Sequence, residues 1–412
     1  MFINVDTANE KAVNILQNAH VYLTGIATAK DVIPFLAQDK ALLHSGPPIA
    51  WDHMCSAMKA AVCGAAVYEG WANDLKAAEL LAESGKIAFA SANDHGAVGS
   101  AAGIISPSMP IWKIKNETYG NMAYTAFHEG TGKILGFGGN DDEVIKNLKW
   151  MEQVLGPMLA EALRMHGTLD LTKMLAKGIQ HGDEGHRCNM VCTSMLIREL
   201  TPYLLKTAAN RDDVLAVLEF LNKDDQAFLN LSMGLCKATM DPAYGVDGST
   251  VVTCICTNGY EFGMHIAGLG DQWITAPAVY AEGNYREGYS REDANPTMGD
   301  AYIVEANGIG GVAIGAAPEI THMIGRNGDE SMHMTMDMYK ITVAEHELFK
   351  IPALNFRGTP LGIDIRKVLK LELLPIITTG IAHKKPGIGQ IGTGLIYPPL
   401  EIFENALAAF EE

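Results

Sequence analysis

DEVIKNLKWMEQVLGPMLAEALRMH, residues 142–166, changes the texture of the chain and decides how the rest is read. Val144, Leu148, Met151, Leu155, Met158 and Ala162 recur at spacings of four and three, which puts them on one stripe of a helix. Pro157 falls inside the pattern and should kink it, because proline has no N–H to give and crowds the preceding turn. Further helices are predicted over 170–179, 186–208 and 211–238, the last interrupted near 223–225, so residues 141–242 read as an all-helical middle domain. On the N-terminal side, AHVYLTGIA (19–27) and KIAFASA (86–92) flank an alanine-rich stretch, 55–83, and residues 1–140 read as an α/β domain. After residue 243 β-branched runs return in STVVTCICT (249–257), AYIVEA (301–306), LGIDIRKVL and LLPIITTGIA, before a closing helix in LEIFENALAAF. Residues 243–412 therefore read as α/β or α+β. The whole is a mixed α/β and α+β, multi-domain chain with a helical centre, as its 412 residues and 48% hydrophobic content allow.

A net charge of −17 argues against nucleic acid or an anionic membrane surface as a partner, since both call for basic patches. An anionic substrate would have to be met locally, by a few cations and backbone amides. The polar start MFINVDTANEKAVNILQN lacks the apolar core of a secretion signal, and no apolar run reaches membrane-spanning length, so a cytoplasmic location is expected. Seven cysteines without a C-x-x-C pair fit reduced thiols.

Glycine is concentrated: of 42, a large share falls in four islands, at 96–103, 130–139, 308–315 and 380–394. Such runs serve tight turns and close packing, or they turn successive N–H groups toward an anion. LLHSGPP (42–48) brings His44, Ser45 and Gly46 to a strand-to-loop junction, where α/β proteins place ligand groups. Asn93 and His95 open the first island, which includes Gly99; Glu129 and Lys133 mark the second; Gly310 and Gly311 belong to the third; His383, Lys384, Gly387, Gly389 and Gln390 to the fourth. HGDEGHRCN (181–189) offers histidines and carboxylates, but its spacing does not match H-E-x-x-H, and Asp183 is placed to cap a helix. No metal is expected there, while Asp183 and His186 stay open as substrate-binding residues. GIGQIGTG (387–394) satisfies G-x-G-x-x-G, yet too little chain follows for a dinucleotide unit. GTGK (130–133) lacks P-loop spacing. No cofactor is expected.

Several blocks in order, LLHSGPP, YEGWA, GDEGHRCN, FLNLSMGLCKATMD, ANPTMGD, GIGGVAIGAAP, LGIDIRKV and TGIAHKKPGIGQIGTG, resemble the YlbE-like family over nearly the full length. Members lie beside FdrA-like proteins and carbamate kinase, and one of them is a subunit of oxamate carbamoyltransferase in allantoin breakdown. The resemblance implies phosphorolysis of oxalurate, or a related N-carbamoyl acid, to oxamate and carbamoyl phosphate, in a complex with an FdrA-like subunit and a third subunit. The chain departs from the family pattern at Asn93-Asp94-His95-Gly96, which stands where a histidine run is usual. That departure leaves open a different N-carbamoyl substrate, or His95 alone as the essential group.

Phosphate attack on a carbamoyl carbon joins two anions and develops oxyanion charge, which calls for oriented amides and cations in a water-poor site. Glycine islands with Arg366, Lys384 and Lys133 are the expected suppliers, and His44, His95 or His383 the expected proton donor to the leaving nitrogen. The alternatives are a non-catalytic scaffold for an FdrA-like enzyme and a stand-alone hydrolase using 181–186 as a metal site.

Overall fold

Helix starts in this chain carry their own caps. Asp141, Asp170 and Asn210 accept the N–H groups of Val144, Lys173 and Asp213, so the helices Asp142–Trp150, Leu171–Gln180 and Arg211–Lys223 begin where a short polar side chain satisfies a free donor. The computed structural model describes residues 4–130 and 132–411. Ahead of Pro157 the helix passes through a single π turn, Met151–Leu155, and continues as Gly156–His166 with proline in its first turn. Of the remaining helices of the middle segment, Met190–Leu204 lies within the marked 186–208, Leu229–Met240 runs two residues past the marked end at 238, and the strand Leu169–Asp170 is a two-residue interruption.

Five strands form the first sheet, in the order Ala97–Val98, Met122–Ala126, Pro110–Asn116, Val21–Thr28, Leu169–Asp170. Only the first pair in that order runs parallel. A second, antiparallel sheet runs Ile274–Pro277, Glu261–Ile266, Val252–Asn258, Met298–Gly299, and a third runs Glu282–Tyr285, Gln390–Ile396, Ile377–Ala382. Ala41–His44 pairs in parallel with Ala88–Ser91, and Thr342–Ile351 forms a ribbon with Arg357–Ile363. The mixed α/β and α+β class read from the sequence is the observed one.

The helix Leu229–Met240 is the axis of the core, buried at every residue. It lies on the strands Pro110–Asn116 and Met122–Ala126, and Gly234 permits this: a Cβ there would stand 2.2 Å from Ile114 Cδ1. Val252–Asn258 is also buried throughout, covered on both faces, which explains its unbroken apolar and β-branched run. All seven cysteines are free. Among the described residues no helix is long and apolar enough to cross a membrane.

One strand expectation fails. AYIVEA becomes the short helix Ile303–Ala306, although isoleucine and valine favour strands. The turn sets Glu305 inside the protein, where its carboxylate accepts the Gly311 N–H at 2.8 Å, and this tertiary demand overrides local preference.

Two buried histidines make the fold sensitive to acid. Burial pulls His44 down to about 4, and burial with the Lys350 charge pulls His346 down to about 3, against 6.5 for a free imidazole. Below 6.5 the unfolded chain binds protons that the native state refuses, so these two groups make stability fall as pH drops toward 4. His346→Gln should make the acid limb of a denaturant-stability profile shallower by about 1.4 kcal/mol per pH unit; an unchanged slope contradicts the assignment.

Candidate functional site

The parallel strands Ala41–His44 and Ala88–Ser91 end side by side, so the loops that follow them, carrying Ser45, Gly46 and Asn93, enter one region. There they meet Asp300. Its carboxylate accepts the Gly46 N–H at 2.8 Å, the Asn93 amide at 2.9 Å and the Gly99 N–H at 2.9 Å, and its own N–H returns to Gly99 O at 3.0 Å. Burial pushes Asp300 up to about 7, against the pull of the Gly46 and Gly99 N–H groups and the Lys237 charge. Gly46 has φ +77°, and a Cβ there would stand 2.5 Å from Asn258 N. His44 is fully buried and neutral, its Nδ1–H donating to Ser45 O at 2.9 Å, while Ser45 Oγ donates to Ala101 O at 2.7 Å. Those two side chains hold the loop.

Beside this junction a cavity of about 400 Å³ is lined by Asn93, Asp94, Gly96, Lys237, Asp241, Tyr244, His265, Asp271 and Trp273. Lys237, only 1% exposed, comes from the buried central helix and pairs with Asp241 one turn on, at 2.8 Å. Burial opposes charge on both partners and raises Asp241, yet Lys237 binds its proton more tightly than a free lysine because the carboxylate lies against it. Tyr244 OH shares a hydrogen bond of 2.7 Å with His265 Nδ1, and the His265 ring packs 3.8 Å from that of Trp273. Burial and the Lys237 charge hold His265 down to about 3, so the imidazole is neutral at working pH, with Nε2 buried and unpartnered in the protein. Trp273 Nε1–H donates to Asp94 at 3.0 Å. Burial raises Asp94, opposed first by that bond. The walls thus offer one cation, three carboxylates, a neutral imidazole, a phenol and an amide in a space of small-metabolite size.

The third island belongs to a second cluster. Glu305 Oε1 accepts the His186 Nδ1–H at 2.9 Å and the Gly311 N–H at 2.8 Å, and the Gly310 N–H goes to Glu184 O at 2.7 Å. Glu184, raised by burial, accepts the Arg187 N–H at 2.6 Å. Asp183 accepts the N–H groups of Val191 and Cys192, at 3.1 and 2.7 Å, and so caps the helix Met190–Leu204. His181 turns away to Lys177 O, so the two histidines of HGDEGHRCN point to different partners.

Other expected site residues are spent on structure. Lys133 pairs with Asp141, Lys384 Nζ donates to Glu292 O, and Arg366 bridges Asp6 at 2.7 Å and Asp364 at 2.8 Å, and none of the three lines the Lys237 cavity. The second and fourth islands bind each other: Gly387 N–H donates to Gly138 O at 2.8 Å and Gln390 N–H to Gly132 O at 3.2 Å. A Cβ on Gly389 would stand 2.7 Å from Gly132 O. Glu129, raised by burial, holds the turn by accepting the Leu135 and Gly136 N–H groups. His383 Nδ1 accepts the Lys385 N–H at 2.8 Å, and His95 stacks on Phe35 at 4.7 Å, outside the Lys237 cavity. No described cavity is lined by all four islands. Sequence reasoning missed Lys237, Asp241, Tyr244, His265, Trp273 and Asp300. The available signal was a lysine alone in the apolar helix LNLSMGLCKATM, with aspartate four residues on.

The fold and site thus define a mixed α/β protein with a buried lysine in a polar cavity beside glycine-rich loops. The family described as oxamate carbamoyltransferase subunit AllG matches residues 87–301. The chain belongs to this AllG family: it is 40% identical to the oxamate carbamoyltransferase subunit AllG of Escherichia coli K12, across 100% of this chain and 99% of that protein. It is 42% identical to the uncharacterized protein YahG of the same organism, covering 99% of this chain and 86% of YahG. Among solved structures, a conserved protein of unknown function from Enterococcus faecalis V583 superposes with a TM-score of 0.97 at 42% identity, covering 99% of this chain and 97% of that one.

Asp300→Asn keeps the shape but turns an NH₂ toward donors, leaving at least one of three buried N–H groups unsatisfied and Lys237 with less counter-charge. Chemical denaturation should show a loss of about 2–4 kcal/mol. A loss below about 0.5 kcal/mol contradicts the role of this carboxylate as the junction of the loops.

Proposed function

We propose that this chain is a catalytic subunit of a carbamoyltransferase, acting with an FdrA-like subunit and a third subunit, and that the Lys237 cavity is its part of the site. The reaction is phosphorolysis of oxalurate or a related N-carbamoyl acid. A phosphate oxygen bonds to the terminal carbamoyl carbon, the bond from that carbon to the imide nitrogen breaks, and the nitrogen takes the proton of hydrogen phosphate. Carbamoyl phosphate and an oxamate-type amide result.

The observation that carries this reading is Lys237, an ammonium kept in the wall of a small cavity inside a chain of net charge −17. Attack by an anion on a carbamoyl group bearing a carboxylate needs a positive charge where water is scarce, and the field of the whole protein opposes it. Lys237 supplies that charge and faces the developing oxyanion. The Tyr244–His265 pair, neutral and hydrogen-bonded, passes the proton between phosphate and leaving nitrogen. Asn93 donates one amide N–H to Asp300 and lines the cavity, which leaves its second N–H for the substrate carbonyl. Kinship with a subunit of oxamate carbamoyltransferase supports the choice of substrate class.

Lys237→Met preserves length and removes the charge. In the assembled complex, with oxalurate and phosphate, carbamoyl phosphate release should fall by at least about 100-fold while the subunits still co-purify. An assembled K237M complex with unchanged turnover would overturn the reading and leave the chain as a scaffold.

A further inference from the structure

The Lys237 cavity is not the only place where this acidic chain buries positive charge. Arg187 follows directly on the Glu184–Glu305–His186 cluster, and its backbone is pinned at both ends: the N–H donates to Glu184 at 2.6 Å and the carbonyl accepts Gln226 Nε2 at 2.7 Å. Its side chain, by contrast, is under-used. Nη2 reaches Thr393 Oγ1 at 3.5 Å, at the limit of a hydrogen bond, and Nε is buried with no partner. Among the described residues no carboxylate lies within ion-pair distance of Arg187 or of Arg286.

Arg286 is its neighbour by construction of the third sheet. Asn284 pairs with Thr393 and Tyr285 with Gly392, so alternation puts Arg286 on the same face as Asn284 and Thr393. Its N–H continues the ladder to Ile391 O at 2.8 Å. On its other side Thr393 pairs with Gly380, which presents no side chain. Burial disfavours the charge on Arg187, the Glu184 carboxylate nearby partly offsets this, and the Arg286 guanidinium adds to the cost. A chain with 48 acidic and 31 basic residues has carboxylates to spare, yet among the described residues it places none in direct ion-pair contact with either guanidinium. Unpaired, half-buried arginine is costly unless a ligand brings the missing charge.

We propose that Arg187, Arg286 and the Thr393 hydroxyl form a second site, which binds a small oxyanion, phosphate or carboxylate, through the guanidinium forks. The site is separate from the Lys237 cavity, whose lining includes none of these residues. It does not require the carbamoyltransferase reading to hold, because its test reads binding alone.

Isothermal titration of the full chain with inorganic phosphate, and separately with oxamate as a carboxylate probe, decides it. At least one of the two should bind saturably, and the tighter probe at this site identifies the oxyanion. Arg187→Met should weaken that binding by at least 10-fold and Arg286→Gln by about 3-fold or more, while Lys206→Met, an exposed lysine just past the helix Met190–Leu204, leaves it unchanged. Arg286 is exposed, so R286Q keeps the test valid should R187M fail to fold. Absence of saturable binding of both probes, or equal affinity in R286Q and wild type, overturns the proposal. Loss of binding in K237M alone would place the anion in the other cavity and overturn it equally.

Discussion

A single buried carboxylate sets the geometry on which the rest of this structure depends. Asp300 stands where the ends of two parallel strands, the first glycine island and the second sheet come together, and its oxygens take a donor from each of Gly46, Asn93 and Gly99. Burying a carboxylate is tolerable only if donors and a cation surround it, and Lys237 supplies the cation. The requirement runs both ways: Lys237 is buried in the central helix with Asp241 and Asp300 as its counter-charges. Under the proposed reaction, the charge that stabilises Asp300 is also the charge that meets the substrate.

The segment 298–311 distributes this arrangement. Asp300 faces the Lys237 side, Tyr302 bonds Thr379 at 2.9 Å, and Glu305 gathers His186, Gly311 and Thr378. Asn307 then reaches Cys236, next to Lys237 on the central helix, at 3.3 Å. One short stretch of chain therefore touches both polar clusters, and displacement of either is felt by the other. Glycine serves contact more than catalysis in this design. Gly234, Gly46 and Gly389 each stand where a Cβ would press within 2.8 Å of a neighbour.

Periodic features were legible in the sequence. The stripe from Val144 to Ala162 and the strand runs around 21–28 and 252–258 each follow from local pattern, and local pattern is what the fold obeys there. AYIVEA was misread because the fate of Glu305 is decided by Gly311, His186 and Thr378, none of them near enough in sequence to show a period. The site was legible only in part. Asn93, Gly46 and Gly99 stand out as unusual residues at loop junctions, whereas Lys237 and His265 sit in elements whose periodicity looks merely structural. Lys133, Lys384 and Arg366 were attractive as cations, but a surface cation beside a carboxylate finds its partner within the protein, and nothing in composition reveals that pairing.

The account reduces to the claim that a carbamoyl-type anion binds against the Lys237 ammonium, framed by Asn93 and the Tyr244–His265 pair. The most direct measurement is a crystal structure of the assembled complex with oxamate and carbamoyl phosphate. The account predicts ordered density in the cavity with an oxygen within about 3 Å of Lys237 Nζ. Density for both ligands in a partner subunit, with the Lys237 cavity holding only water, would contradict it.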